Sequence, residues 1–302
     1  EASISYSKKN GYVKEGDILT ITAQFNKDIS EVNPVLMSIT GPYNLVDQEM
    51  TRISATEYEY SHNVGSGDDI ALVTITGGND LYGNPIIQRP VSGERFVVDN
   101  TAPTNQDEVF PASVIKQGSS TVNIISSGNV LNEIWFAISE TDIFIESATS
   151  SRASSGTSTE IMSPADEGEY KLFVIDAAGN ISSSSAAILT VDNTAPTTPV
   201  ITSFGSDNII NSYNQNSVEI VGETEDNVTL YIELSDGQNA ITSEVIIPSG
   251  QTTFTKSINI SSAEPESLKQ GEVLLSVYST DLAGNVSGMA TSTAVLDITV
   301  PI

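Results

Sequence analysis

One phrase recurs along this chain and limits its fold more than any other feature. Val98-Asp99-Asn100-Thr101-Ala102-Pro103-Thr104 returns as Val191-Asp192-Asn193-Thr194-Ala195-Pro196-Thr197, and in degenerate form as Leu296-Asp297-Ile298-Thr299-Val300-Pro301. The three aspartates are 93 and then 105 residues apart. A period of that size is about one small sandwich domain, and self-similarity at a fixed period marks a repeat array. A second phrase precedes each copy: Asp80-Leu81-Tyr82-Gly83-Asn84, Asp176-Ala177-Ala178-Gly179-Asn180 and Asp281-Leu282-Ala283-Gly284-Asn285, lying 19, 16 and 16 residues before the linker aspartate. Two phrases in fixed order divide the chain into three modules, residues 1–100, 101–193 and 194–302.

Between the phrases the chain reads as short strands. Ile18-Leu19-Thr20-Ile21-Thr22-Ala23-Gln24-Phe25 alternates apolar and polar, as do stretches 170–175 and 228–234, the period of two that argues for half-buried strands. Turn residues punctuate them at Asn10-Gly11, Ser66-Gly67-Asp68 and Asp236-Gly237. No amphipathic helix is predicted, and residues 264–269 offer one turn at most. Pro103 and Pro196 disfavour helix in the linkers, and linkers this short stack modules. The fold class predicted is all-β: three tandem Ig-like β-sandwiches of about seven strands each, in an extended arrangement.

Acidic residues number 39 against 12 basic ones, a net charge of -27, which repels nucleic acid and anionic membrane surfaces and attracts cations. An apolar content of 38% with no long single-sign block argues for folded modules over disorder. The absence of cysteine excludes disulfides and thiolate chemistry. No stretch approaches the ~20 apolar residues of a membrane span, and the opening Glu1-Ala2-Ser3 reads as the start of an internal excerpt.

Both phrases carry a family resemblance that covers the whole chain. The Asp-x-Ala-Gly-Asn turn, a last strand and the Asp-Asn-Thr-Ala-Pro-Thr joint resemble the tandem Ig-like repeats of large bacterial surface adhesins. Val13-Lys14-Glu15-Gly16-Asp17 with Phe96-Val97-Val98-Asp99-Asn100 looks like one repeat subtype, and Glu167-Gly168-Glu169-Tyr170 before Asp176 like another. The resemblance implies an extracellular, cell-surface stalk serving adhesion or biofilm formation, in many members with calcium at the joints. Leu296-Asp297-Ile298-Thr299-Val300-Pro301 lacks the Asn and Ala of the pattern, which sets the last joint apart.

Sandwich topology says where ligands for calcium would lie. Seven strands A to G alternate in direction, placing the BC and FG loops at a module's upstream pole and the AB and EF loops at its downstream pole. The first joint is then bounded by Glu15, Asp17, Asp68 and Asp69 downstream, by Asp99 and Asn100 in the linker, and by Asp176 of the following module. The second has Asp166 and Glu167, then Asp192 and Asn193, then Glu223, Glu225, Asp226 and Asp281. Calcium takes about 6 to 8 hard oxygens, whereas zinc and copper favour the imidazole and thiolate that one His and no Cys barely provide. Asp and Gly-Asn also make turns unaided, so in the Asp-x-x-Gly-Asn phrases both roles stand open, with the aspartate alone as a ligand.

Catalytic signatures are missing. His62 lies beside the E strand without the partners of a zincin or a nucleophile triad. Trp135 falls in the C strand, where such sandwiches fill their core, and Gly65-Ser66-Gly67 has no Gly-Lys-Ser/Thr after it. The expectation is a non-enzymatic, monomeric extender with calcium-set rigidity, whose partners are neighbouring repeats and, through other domains, a host or environmental glycan or protein. Two alternatives are a glycan- or protein-binding recognition module, with the third repeat and its 264–270 insertion foremost, and a spacer of a secreted polysaccharide-degrading enzyme.

Overall fold

Alternation decides the first sandwich. Along Ile18–Phe25 the side chains of Leu19, Ile21, Ala23 and Phe25 are buried and those between them are not, so one strand face becomes core and the other surface. The computed structural model describes residues 1–8, 10–138, 143–153, 155–261 and 268–299. Its first strands are β1 (Ala2–Tyr6), β2 (Tyr12–Val13), β3 (Ile18–Phe25), β4 (Leu36–Thr40), β5 (Leu45–Glu49), β6 (Thr51–Arg52), β7 (Glu57–Asn63), β8 (Asp69–Ile75) and β9 (Arg95–Val98). They form one sheet in the order β1-β3-β7-β6 and another in the order β2-β9-β8-β4-β5, closed over a core that includes Leu19, Ile21, Met37, Ile39, Val73 and Phe96. The leading strand is split between the sheets: β1 pairs antiparallel with β3, while β2 pairs parallel with β9 through Tyr12↔Val97 and Val13↔Val98. That parallel pair holds the last strand up to the residue before the linker.

Elements of the middle third are α1 (Gln106–Val109), β10 (Val114–Lys116), β11 (Thr121–Asn123), β12 (Glu133–Ile138), β13 (Ser151–Ala153), β14 (Glu160–Met162), β15 (Gly168–Ile175) and β16 (Ile188–Val191). The single-turn α1 departs from the helix-free expectation. Its four residues are too few for a periodic apolar stripe, yet they bury Gln106 and Val109. The last third follows with β17 (Val200–Phe204), β18 (Ile209–Asn211), β19 (Val218–Glu223), β20 (Val228–Ser235), β21 (Ala240–Ile247), β22 (Thr253–Ile258), β23 (Gly271–Thr280) and β24 (Ala290–Asp297). Here β17-β19-β22 faces β18-β24-β23-β20-β21 across Phe204, Ile220, Leu230, Ile232, Phe254, Leu275 and Val277. Of residues 264–269, expected to make at most one turn, 264–267 lie outside the described residues, and Leu268 and Lys269 are not helical.

Contacts divide the chain into two units. One is Glu1–Ala112, Asn123–Met162 and Lys171–Ile188; the other is Ser113–Val122, Ser163–Tyr170 and Leu189–Ile302. Within the first, an aromatic chain fills the core beside β12: Phe110 meets Phe136 edge-on at 5.1 Å, and Phe144 meets Trp135 at 5.5 Å and Phe173 at 5.4 Å. Trp135 is a core residue, as its strand position implies; its Nε1 donates to Glu133 and Arg152 lies over its ring. His62 is a buried strand residue whose Nε2 lies 2.7 Å from the Tyr43 hydroxyl, and burial lowers its pKa. Within the second unit, β10 pairs parallel with β16 and β18 with β24, repeating the β2–β9 arrangement. The described residues thus form an all-β, Ig-like sandwich fold.

Tyr170, at the start of β15 and fully buried, donates its hydroxyl to the Asp166 carbonyl at 2.9 Å. A tyrosine bonded back to the corner before strand F is a feature of Ig-like sandwiches. Tyr170→Phe leaves that carbonyl without its donor and should cost about 1 to 2 kcal/mol in equilibrium denaturation. An unchanged midpoint would mean the corner is held by packing alone.

Candidate functional site

Each linker phrase lies inside one unit, where every one of its polar groups can be followed. At the first, the Asp99 amide donates to the Val13 carbonyl at 2.9 Å, extending the β2–β9 pairing by one rung. Asn100 is then held three ways: its Oδ1 accepts the Glu15 amide at 2.7 Å, its Nδ2 donates to the Gly67 carbonyl at 2.6 Å, and its amide donates to Asp68 Oδ1. One side chain therefore ties the AB turn, the EF turn and the linker together. Asp99 turns the chain by accepting the Thr101 amide at 3.0 Å, a local bond typical of Asp.

The turn at residues 176–180 closes the joint from the other side. Asn180 Nδ2 donates to the Asp99 carbonyl at 2.8 Å, Asn10 Nδ2 donates to the Ala177 carbonyl at 2.8 Å, and the Lys14 ammonium donates to the Gly179 carbonyl. A cation of the chain's own thus sits at this joint.

At the second phrase the pattern repeats nearly bond for bond. The Asp192 amide donates to the Lys116 carbonyl at 2.9 Å. Asn193 accepts the Gly118 amide at 2.7 Å and donates through Nδ2 to Ala165 and through its amide to Glu167 Oε1, both at 2.9 Å. Asp192 accepts the Thr194 amide, and Asn285 Nδ2 donates to the Asp192 carbonyl, again at 2.9 Å. Gln117 occupies the place of Lys14 and donates to Asn285 Oδ1 at 2.9 Å. A Cβ on Gly118 would come within 2.2 Å of the Ala165 carbonyl oxygen, so only glycine allows this approach.

The second phrase builds a self-contained turn at all three sites. Asp80, Asp176 and Asp281 each accept the amide of the asparagine four residues on, and its Nδ2 as well. Gly83, Gly179 and Gly284 have φ of 81°, 88° and 95°, a left-handed conformation that glycine adopts without penalty. The asparagine's hydrogen bonds hold the Asp80 carboxyl below its usual pKa.

The remaining candidates scatter. Asp17 accepts the Lys14 amide and pairs with Lys8, and Asp69 accepts the amide of its neighbour Ile70. Asp166 contributes its carbonyl to Tyr170, and Glu223 ends β19, exposed. Glu15 enters the joint through its backbone amide. At the second joint the structure does bring acids together: Asp192, Glu225, Asp226 and Asp281 line one cleft of about 430 Å³. Yet Glu225 accepts the Thr197 amide and Asp226 the Gly250 amide, and no three acidic, His or Cys side chains among the described residues are grouped to hold a metal. Calcium needs about 6 to 8 oxygens at roughly 2.3 to 2.6 Å; as arranged, these side chains do not fit a shared ion.

Four residues that matter here carry no motif as ligands: Lys14, Gln117, Asn180 and Asn285. The only sequence signal for the asparagines was their constant place at the end of the Asp-x-x-Gly-Asn phrase, which reads first as turn chemistry.

No protein-family profile and no curated protein sequence matches the chain. Among solved structures, it is similar to the FN1–FN3 domains of chicken CNTN1, with 13% identity over 97% of this chain and 98% of that one and a TM-score of 0.36. It is likewise similar to FdeC, an Escherichia coli adhesin, with 13% identity over 98% and 96% and a TM-score of 0.34. Fibronectin(III)-like modules of Clostridium thermocellum CbhA match with 15% identity over 62% and 90% and a TM-score of 0.34. Likenesses this loose carry no inference about function.

Two outcomes are expected. Asn84 and Asn180 build the same turn, but only Asn180 also bonds a linker carbonyl. Asn180→Ala should therefore destabilise more than Asn84→Ala, by about 1 kcal/mol, the worth of one neutral hydrogen bond; equal losses would remove the joint bond from the account. At the second joint, hydrogen bonds from the Thr194 hydroxyl and Asn193 amide lower the Glu167 pKa from its ordinary 4.5. A depressed folded pKa stabilises fully above the unfolded value and progressively less as pH falls through the folded one. Exchange of the Asn193 amide proton, relative to the unstructured rate, should speed up below about pH 4.5. In Glu167→Gln that acceleration should shrink, and an identical pH profile in the variant would exclude Glu167 as its source.

Proposed function

We infer that the chain is a non-catalytic structural extender of a bacterial cell-surface adhesin, built from three sandwich modules bounded near residues 100 and 193. The observation that carries this reading is the duplicate clamp: Asn100 and Asn193 make matching hydrogen bonds to the AB and EF turns before each linker, and Asn180 and Asn285 bond the Asp99 and Asp192 carbonyls from the turn after it. Bonds that tie a linker to the loops on both its sides restrict the swing of one module against the next. A spacer needs that restriction and an enzyme does not. The Asp-Asn-Thr-Ala-Pro and Asp-x-Ala-Gly-Asn phrases, which resemble bacterial adhesin repeats, support the extracellular setting and the adhesion role. No helix among the described residues is long and apolar enough to cross a membrane.

The joints work in this reading through direct bonds, with Lys14 supplying positive charge at the first. Calcium, which the family resemblance implies, would act on top of that network, and the acidic cleft at Asp192 is where it would have to bind. Small-angle X-ray scattering of the chain, in excess chelator and in millimolar calcium, tests both parts. The expected result is an elongated particle whose maximum dimension is the same in the two buffers. A particle that stiffens and lengthens only in calcium would assign the lock to the ion, and one compact in both would rule out an extender.

A further inference from the structure

The outward face of β20, β21 and β23 carries a cluster that the joints do not use. Leu230, Ile232 and Leu234 point into the core, so Tyr231 and Glu233 between them point out. Strand register places Tyr231 between Glu244 and Tyr278, and Glu233 between Thr242 and Ser276. The two tyrosine rings stack with centroids 5.0 Å apart and planes at 14°. With Met289, which is 59% exposed, these side chains line a groove of about 620 Å³.

A cross-strand aromatic pair stabilises a sheet, and that alone accounts for the tyrosines. It does not account for the carboxylates. Glu233 and Glu244 are diagonal neighbours on adjacent strands, where like charges repel, and neither side chain has an ion pair or hydrogen bond among the described residues. Most joint acids, by contrast, already accept backbone N–H groups. The groove therefore has two carboxylates without a side-chain partner beside two stacked π-systems; no Lys or Arg lines it, although the Lys256 ammonium reaches the Glu244 main-chain carbonyl at 3.4 Å.

We propose that this groove binds a basic polypeptide segment, seating a Lys or Arg side chain against the Tyr231–Tyr278 pair and between Glu233 and Glu244. Charge selects the occupant. Aromatic faces attract cations, carboxylates form charge-assisted bonds to guanidinium and ammonium groups, and a net charge of -27 steers basic partners inward while repelling acidic ones. A neutral glycan would use the tyrosine faces without needing either carboxylate. No residue lining the groove belongs to either linker phrase, so it can bind or fail to bind whether or not the chain is an extender.

The test is calorimetric titration of the whole chain with a capped Gly-Arg-Gly-Gly-Arg-Gly peptide, its citrulline counterpart and cellohexaose. Binding is expected for the arginine peptide alone. It should weaken by at least about tenfold in Glu233→Gln/Glu244→Gln, but little in Glu57→Gln/Glu219→Gln, which removes the same charge elsewhere. Matched thermal midpoints for the two double variants would show that both remain folded. Three results would each overturn the proposal: no peptide binding, equal weakening in both double variants, or cellohexaose binding that Tyr231→Ala/Tyr278→Ala abolishes and Glu233→Gln/Glu244→Gln spares.

Discussion

Everything at the joints depends on how the last strand of a sandwich stops. β9, β16 and β24 each lie beside a short parallel strand, which leaves the chain at a defined point with its next amide still to be satisfied. A buried or half-buried backbone donor without a partner is costly. The amides of Asp99 and Asp192 therefore add one more rung, and Asn100 and Asn193 then plug into loops on either side. Asparagine suits the position because one short side chain offers both a carbonyl acceptor and an amide donor. Aspartate would repel the Gly67 and Ala165 carbonyls, and a longer side chain would overshoot them.

The same constraint explains how so acidic a chain can hold itself together at its crowded ends. Carboxylates that might repel one another are turned onto backbone N–H groups: Asp99 and Asp192 onto threonine amides, Asp68 and Glu167 onto the linker, Asp226 onto Gly250. Each such bond is charge-assisted and favours the ionised form. Negative charge at the joints is thus partly answered by peptide dipoles. Among the described residues, the first joint adds a full positive charge from a side chain, Lys14, where the second has the neutral Gln117.

Much of this was legible in the residues. Alternation located β3 and β20 to within one residue, because each has one buried and one exposed face; it also found β15 to within two, yet there Leu172, Phe173 and Val174 are all buried, so the alternation expected of that strand is not kept. Reading the strands as alternating in direction grouped Glu15, Asp68 and Asp99, and the hydrogen bonds of Asn100 to Glu15, Gly67 and Asp68 join those three segments. What alternation cannot show is the destination of a carboxylate oxygen. That depends on local backbone angles, such as those of the 176–180 turn, with Gly179 at positive φ, which aims the Ala178 and Asn180 amides at Asp176. Nor does any motif mark Lys14 or Gln117, whose reach follows from their place one residue beyond the parallel pair. The single turn of α1 escaped for a simpler reason: four residues complete only one period of a helix.

Differences among the three strand ends show what the asparagine plug supplies. Register makes Lys14, Gln117 and Asn211 equivalent, each one residue past the partner of Val98, Val191 or Leu296. The first two reach across to the facing turn, one with a charge and one without. At the third, Asn211 instead accepts the amides of Tyr213 and Asn214, and Ile298 stands where Asn100 and Asn193 stand. Ile298 cannot accept an AB-turn amide or donate to an EF carbonyl. Thr299 still closes the Asp297 turn and bonds Gln270, so this end keeps the bend of the linker while losing the plug. The turn and the plug are therefore separable: the aspartate alone sets the bend, and the asparagine adds the ties to the AB and EF turns.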